Sequence, residues 1–304
     1  MKKLLFFCIL IFLTPYIIVS IFIEDNEIKF KYESNFNVRV KHEDTGEIEY
    51  VPFEGYITGV LAGEMPVSFE LEALKAQAVA ARSYVLKKIE NNTGREYDVV
   101  DTIMNQVYLN DEELKKAWGD NYEKHINKIK TAVIETKGEY LEYDGRVVEA
   151  FFFSTSTGET ENSGEIFTTQ LPYLVSVDSS WDSEVSPLYS TYKTISLSEF
   201  YNLLSLPYND ELYIEKVETT STGRIKKIKI NGNLFTAYDV IKLLNLRSTY
   251  FSITQTGNNV VINTKGYGHG VGMSQYGAQA MAKNGYKYDE IVKHYYTGVE
   301  IKKI

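Results

Sequence analysis

Cysteine is nearly absent from this chain. Cys8 is the single one in 304 residues, which excludes an intrachain disulfide, a thiolate cluster and a cysteine-rich zinc site. Histidine is scarce too: His42, His125, His269 and His294 are widely spaced and form no HExxH or HxH pair. Basic residues are outnumbered 32 to 41, giving a formal net charge of −9. A nucleic-acid binder carries the opposite balance. No stretch rich in Pro, Gly and Ser divides the chain, and no internal repeat is found. What remains is a globular composition, 44% hydrophobic and 24% charged, with enough apolar material for a sizeable core.

Lys2 and Lys3 precede an uncharged run from Leu4 to Ile23, and Glu24 and Asp25 follow it. Such a run reaches about 30 Å as a helix, the thickness of a bilayer core. Lysines before it and acids after it place the N-terminus in the cytoplasm and the remainder outside. A cleaved signal peptide is the competing reading. The length of the run and the lack of a small-x-small site favour an anchor over residues 1–23, with an extracytoplasmic domain over 24–304. Taking Lys2 and Lys3 away from the −9 leaves −11 on that domain, which has no thiol.

The expected fold class is α+β, helices packed with antiparallel hairpins around a substrate cleft. Residues 24–50 alternate polar and apolar like strands. Phe53, Tyr56, Ile57, Val60 and Leu61 recur at helical spacing, and Pro66 and Ser68 end that helix. Residues 70–90 are Ala/Leu-rich and helical, and another helix is expected from about Glu112 to Thr136. Asp144-Gly145, between Tyr140–Tyr143 and Arg146–Ser154, marks a hairpin, and Asn231-Gly232, between Ile225–Ile230 and Leu234–Thr236, marks a second. Shorter helices are expected near 198–205, 237–245, 274–283 and 288–295. The chain has 24 Tyr and 15 Phe. Tyrosine serves an ordinary core, and it also serves a sugar groove, where its face packs on pyranose rings.

Two charged residues stand where apolar ones are expected. Phe53, Ile57, Val60 and Glu64 fall on one helical face, so Glu64 continues a core-facing row. Burial would raise its pKa and suit it to act as a general acid; the plain alternative is a frayed helix end. Arg82 interrupts the small-residue segment "AQAVAARSYVL". It either pairs with a buried carboxylate, orients a substrate oxygen or sits on a solvated face.

Residues 266–277 read "GYGHGVGMSQYG", with glycines alternating at 266, 268, 270 and 272. That pattern allows special backbone angles and close approach to another surface. It is neither a phosphate loop nor a GxSxG elbow, since "GMSQYG" is one residue too long. His269 lies at its centre. Ser154 and Ser156, in "FFFSTSTGETENS", follow an apolar strand.

Together, "GVLAGEMPVSFELEALKAQAVAARSYVL" (59–86), "DVVDTIMNQVY" (98–108), "AFFFSTSTGETENS" (150–163) and "GYGHGVGMSQYGAQAMA" (266–282) resemble the stage II sporulation protein D (SpoIID) family. The segments stand in the family's order across roughly residues 50–300. The resemblance implies a lytic transglycosylase that cuts peptidoglycan glycan strands, with Glu64 as the catalytic acid and Arg82 implicated in function. Gln106, Tyr108, Ser154, Ser156, His269, Gly270 and Gln275, all from the recognised segments, are the expected groove residues. The resemblance also implies strands stripped of stem peptides by a partner amidase (sporulation protein P), held with a membrane protein, M. The implied location is the mother-cell membrane facing the forespore, with a single pass through residues 4–23. Zinc-bearing relatives have Cys and His in the "DTxxxQVY" region and a His before "STS"; here residues 100–108 have neither, and Phe153 stands at the latter place. No metal and no cofactor are expected.

Ordinary glycosidases use two carboxyl groups, whereas a lytic transglycosylase can manage with one, because the attacking hydroxyl belongs to the substrate. Glu70, Glu72, Glu159 and Glu161 are possible auxiliaries without a pattern to nominate one. Two other readings compete. One is a glycan-binding module that enhances or localises an amidase without cutting sugar. The other is a serine hydrolase using Ser154, Ser156 or Ser274 with His269.

Overall fold

The structure is a computed structural model that describes residues 37–102 and 104–304. The expected span over residues 4–23 lies outside the described residues, as do the first strand-like positions up to 36. Among the described residues no helix is long and apolar enough to cross a membrane.

The first half of the domain is built on one buried helix. Strands β1 (Asn37–Lys41) and β2 (Ile48–Pro52) form an antiparallel hairpin that runs into α1 (Phe53–Glu64) and then α2 (Leu71–Asn91). β3 (Val99–Val100) adds to β1 in parallel. α3 (Asp111–Trp118) and α4 (Tyr122–Glu135) follow. The sequence predicts one helix there, but Gly119 turns the chain at φ +50° and splits it. Asn110 caps α3 through a capping box with Glu113, as expected for an Asn-x-x-Glu start. α2 is buried from Ala73 to Val85 on nearly every face. Its alanines let α1, α4 and strand β4 (Glu139–Tyr143) approach closely. A helix apolar all round belongs inside a core.

Arg82 sits in the middle of this helix, fully buried. Its Nη2 donates to Glu54 Oε2 at 2.7 Å and to the Val133 carbonyl at 2.9 Å, while Nη1 donates to Thr136 Oγ1 at 3.1 Å. Glu54 is also buried and accepts from the Gly138 amide at 3.0 Å. Every charged atom is thus matched, which a buried ion pair requires. Arg82 pins α1, α2 and the end of α4 together. Of the roles open to it from sequence, pairing with a buried carboxylate is the one the structure shows.

β4 pairs with the short β5 (Arg146–Val147) across Asp144-Gly145, both at positive φ, and on its other side with the last strand, β14 (Glu300–Lys303). The predicted strand 146–154 is interrupted. After Val147 the chain turns at Glu149–Phe151, and β6 (Phe152–Phe153) pairs in parallel with β13 (Met273–Ser274) instead. Single-turn helices at Ser163–Ile166 and Asp182–Val185 lie between β6 and the second core.

The second core holds two antiparallel sheets. β7 (Ser190–Ser196), β11 (Phe251–Thr256) and β12 (Asn259–Lys265) are ordered β11-β12-β7, and β8 (Ile214–Thr219), β9 (Ile225–Ile230) and β10 (Asn233–Thr236) are ordered β10-β9-β8. Helices α5 (Leu197–Leu203) and α6 (Ala237–Leu243) cover them, with Phe200, Ile228, Val240 and Ile262 at the centre. The Asn231-Gly232 hairpin is where the sequence places it, at φ +46° and +81°. Helices α7 (Gln275–Lys283) and α8 (Tyr288–Tyr295) return the chain to α2. The α+β class with antiparallel sheets agrees with the sequence reading.

Removing one side of the buried pair strands a charge in the core. Arg82→Ala is expected to lose about 3–5 kcal/mol of unfolding free energy, read from urea melts. The double variant Glu54→Leu, Arg82→Met should recover most of that loss.

Candidate active site

Glu64 is the last residue of α1 and lines a cleft of about 760 Å³. Two neighbours hold it. The Val107 amide donates to Glu64 Oε1 at 2.7 Å, and Gln275 Nε2 donates to the Glu64 main-chain carbonyl at 3.0 Å. The first contact depends on two helical glycines. A Cβ on Gly63 would lie 2.8 Å from the Val107 carbonyl oxygen, and one on Gly59 would lie 2.5 Å from that of Leu109. This bare strip of α1 lets the segment 105–109 lie against the helix and aim an amide at the carboxyl group. The second contact belongs to a grip made by α7. Gln275 holds Glu64, and Gln279, one turn on, accepts from the Glu70 amide at 2.6 Å, so both ends of the 64–70 connection are fixed from one helical face.

Burial raises the Glu64 pKa, and the Val107 amide together with the Gln275 side-chain amide beside the carboxyl group only partly offsets it. A carboxylate at a helix C-terminus also faces the negative end of the helix dipole, which works in the same direction. Phe69, Tyr84, Phe151, Phe153, Phe167 and Tyr276 line the cleft, with Phe69 edge-on to Tyr276 at 5.0 Å. Among the lining residues Glu64 is the sole acid. Glu70, Glu72, Glu159 and Glu161 do not line the cleft. Glu161 is paired with Arg224 in the interior, and Glu72 bonds Lys75.

The glycine-rich stretch forms the opposite wall. Gly266, Gly268, Gly270 and Gly272 all have positive φ. A Cβ on Gly272 would lie 2.0 Å from the Phe151 carbonyl oxygen, and one on Gly268 would lie 2.9 Å from the Phe153 side chain. The stretch therefore lies flat on residues 151–157, joined by reciprocal bonds between Thr155 and Tyr267 of 3.1 and 2.9 Å. Behind it Arg224, buried and paired with Glu161, donates to the Gly268 carbonyl at 2.8 Å.

His269 lines the cleft among Phe151, Phe153 and Phe167. Its Nδ1 accepts from the Val271 amide at 3.0 Å, which leaves the other nitrogen to donate to the Phe152 carbonyl. Burial, aided by the Arg224 charge, lowers its pKa to about 4. The imidazole is neutral and both nitrogens are engaged, so it shapes the wall and is poorly suited to be a base.

The remaining expected groove residues separate into two groups. Ser154 and Gln275 line the cleft with Glu64 and His269. Gln106, Tyr108, Ser156, Gly270 and Arg82 do not. Gln106 accepts from Tyr56 Oη at 3.2 Å inside the core, and Tyr108 stacks on Tyr56. Gly270 is pressed on the Arg224–Glu161 pair. Ser156 and Ser274 are both bound to buried Asp182, through the Ser156 amide and the Ser274 hydroxyl, and Ser274 caps α7. Ser274 is thus committed to Asp182, not to His269, which removes its part in the serine-hydrolase reading. The sequence reading missed the aromatic walls, Asn105 and Val107. Val107 acts through its amide, for which the residue type gives no signal; the Gly59–Gly63 and Gln275–Gln279 spacings were the available clues.

The chain that builds this cleft, one acid among aromatic walls with a glycine-rich strap, matches the SpoIID-domain class of proteins by sequence. The family model described as SpoIID, stage II sporulation protein, matches residues 41–143. The chain is 42% identical over 274 residues to stage II sporulation protein D of Bacillus amyloliquefaciens, covering 88% of this chain and 79% of that protein. It is 42% identical over 259 residues to stage II sporulation protein D of Bacillus subtilis (strain 168), covering 84% and 75%. An amidase enhancer of Bacillus subtilis (strain 168) is 30% identical over 299 residues, 81% of this chain but 40% of that protein. The chain belongs to the stage II sporulation protein D family.

A lowered imidazole pKa has a sign that can be tested. The unfolded chain binds a proton at His269 that the folded chain refuses, so stability falls as pH drops from about 6.5 to about 4. The His269 ring ¹⁵N shifts should therefore stay constant between about pH 8 and pH 5.5. His269→Asn should flatten the acid-side loss in thermal melts.

Proposed function

We propose that the protein is a membrane-anchored lytic transglycosylase of the bacterial cell wall, acting on peptidoglycan strands during sporulation. The observation that carries this reading is Glu64: a single carboxyl group with a raised pKa, fixed in a cleft whose other lining residues include no acid. A two-carboxylate glycosidase needs a second acid about 5–10 Å from the first, and the cleft lining offers none. The aromatic walls suit stacking on pyranose faces.

Glu64 in its protonated form gives its proton to the bridging oxygen as the bond to the muramic-acid anomeric carbon breaks. The resulting carboxylate is stabilised by the Val107 amide already bonded to Oε1. It then takes the proton from the 6-hydroxyl of the same sugar, whose oxygen closes on the anomeric carbon as a 1,6-anhydro ring. Glu64 is thereby restored to its acid form. No water enters the products, and the intramolecular attack replaces a bound nucleophile. Residues 4–23 would hold the domain outside the membrane, and the resemblance supports a stem-peptide-stripped substrate and an amidase partner.

The similarity to an amidase enhancer supports the second reading, a glycan-binding module that acts through an amidase. Purified full chain in detergent, given amidase-treated glycan strands in H₂¹⁸O, separates them. The expected result is unlabelled 1,6-anhydro ends, and Glu64→Gln should lower their rate of formation by about 10²–10⁴-fold. Labelled reducing ends would mean hydrolysis. No cleavage, together with faster amidase turnover in the presence of Glu64→Gln, would establish the binding module instead.

A further inference from the structure

Beside the cleft lies a second depression of about 440 Å³, lined by Tyr192, Lys193, Asn245 and Arg247 among others. The two are joined at Tyr267. Its ring lines the cleft, and the Arg247 guanidinium from the second depression sits over it at 5.8 Å. The Gly268 amide donates to the Arg247 carbonyl at 3.0 Å. The loop that carries Arg247 is therefore fastened to the glycine-rich wall, one residue from His269. Tyr192 is 73% exposed and Tyr267 is 45% exposed; Tyr192 lines the second depression with Arg247, and Tyr267 lies under its guanidinium, so two accessible aromatic rings belong to the same open site as the cation.

The charge pattern is informative. The chain carries 41 acids in 304 residues, about one in seven. The lining of both depressions holds one, Glu64, and two cations, Lys193 and Arg247. The Lys193 ammonium is taken up by the Leu244 carbonyl at 2.9 Å. Arg247 is exposed and pairs with no carboxylate among the described residues. A ligand with carboxylates is repelled by a strongly acidic domain as a whole, so its attraction has to be local.

We propose that Tyr192, Tyr267 and Arg247 form an outer subsite that continues the cleft and binds a glycan strand through a sugar-borne carboxylate. Arg247 takes the free lactyl carboxylate of a muramic-acid residue outside the point of cleavage, and the two tyrosines receive the neighbouring ring faces. This rests on the glycan reading of the cleft. The planar guanidinium fits a carboxylate with two parallel bonds, and stacking on Tyr267 holds it in place.

Binding is measured with the full chain in detergent carrying Glu64→Gln, so that no strand is cut. The probes are peptide-free glycan strands, strands still bearing stem peptides, and neutral N-acetylglucosamine oligomers of similar length. Arg247→Glu is expected to weaken binding of peptide-free strands about tenfold at low salt, with the difference shrinking as salt screens the contact. The neutral oligomers should change by less than about twofold, since they offer no carboxylate partner. Arg247→Lys should keep part of the affinity, and Tyr192→Ala should weaken both kinds of sugar. Unchanged binding of peptide-free strands by Arg247→Glu overturns the subsite and leaves the cleft reading intact. So does an equal loss on the neutral oligomers, which would mean that Arg247 acts by propping the Tyr267 loop. An equal Arg247 effect on peptide-bearing strands overturns the lactyl assignment. If Glu64→Gln binds no sugar at all, the cleft reading itself fails and the subsite with it.

Discussion

The contact on which the rest of the site depends is a close approach of two chain segments: Gly266, Gly268 and Gly272 pressed onto residues 151–157, with Gly270 against the Arg224–Glu161 pair. At Gly272 even one methyl group would overlap the Phe151 carbonyl, and all four glycines take φ values that L side chains rarely adopt. Because the two segments lie flush, Phe151 and Phe153 enter the cleft, His269 fits between phenylalanine rings, and β13 meets β6. Two residues further on, Ser274 begins α7 and Gln275 reaches the Glu64 carbonyl. The acid on α1 is thus positioned from a segment more than 200 residues away, by a strap whose geometry only glycine allows.

Buried ion pairs back this arrangement at two places. Arg82–Glu54 fixes α1 against α2, and Arg224–Glu161 sits behind the strap. Neither pair lines the cleft. Their work is to fix where helices and loops lie; Arg82–Glu54 has its charged atoms matched, whereas Glu161 Oε2 and Arg224 Nη2 are buried without a hydrogen-bond partner among the described residues. The Arg224 pair has an electrostatic side effect: its positive charge helps keep His269 neutral. A cleft that held an imidazolium would favour the carboxylate form of a nearby acid. A neutral ring leaves the burial of Glu64 in control.

How much of this was legible in the sequence follows from the range of each interaction. The Phe53–Ile57–Val60–Glu64 row is a local period, and it correctly places Glu64 at the inner end of α1. Asp144-Gly145 and Asn231-Gly232 are local turn chemistry and appear where expected. Gly119 is a local break whose effect was underestimated, because the flanking helical periods are strong. The β7–β12–β11 sheet went unread: β7 buries one residue in seven, so its polar run "STYKTIS" gives little periodic signal, whereas β11 and β12 alternate and carried a signal that was passed over. The roles of Gln106 and Ser156 and the partner of Arg82 were illegible for a different reason. Gln106 and Ser156 were identified by their motifs, and a motif does not say whether a side chain faces a groove or a core; for Arg82 the helix pattern offered a buried carboxylate without naming it. Arg82 faces Glu54, which lies 28 residues earlier and belongs to no recognised segment.

The aromatic walls tie composition to chemistry. The sequence left open whether its abundant Tyr and Phe build a core or a sugar groove, and in this cleft the two uses are not alternatives. Phe69, Phe151, Phe153 and Phe167 line the cleft with Glu64, and burial is the main cause of its raised pKa. The same faces are what a pyranose would stack on. On the proposed reading a bound sugar ring removes still more water from the carboxyl group, so substrate binding and readiness of the acid rise together. The Val107 amide opposes that trend by favouring the carboxylate. A single acid that must first give and then retrieve a proton needs both influences: burial alone would hold the proton in place, and hydrogen bonding alone would release it to solvent before the glycosidic oxygen arrived.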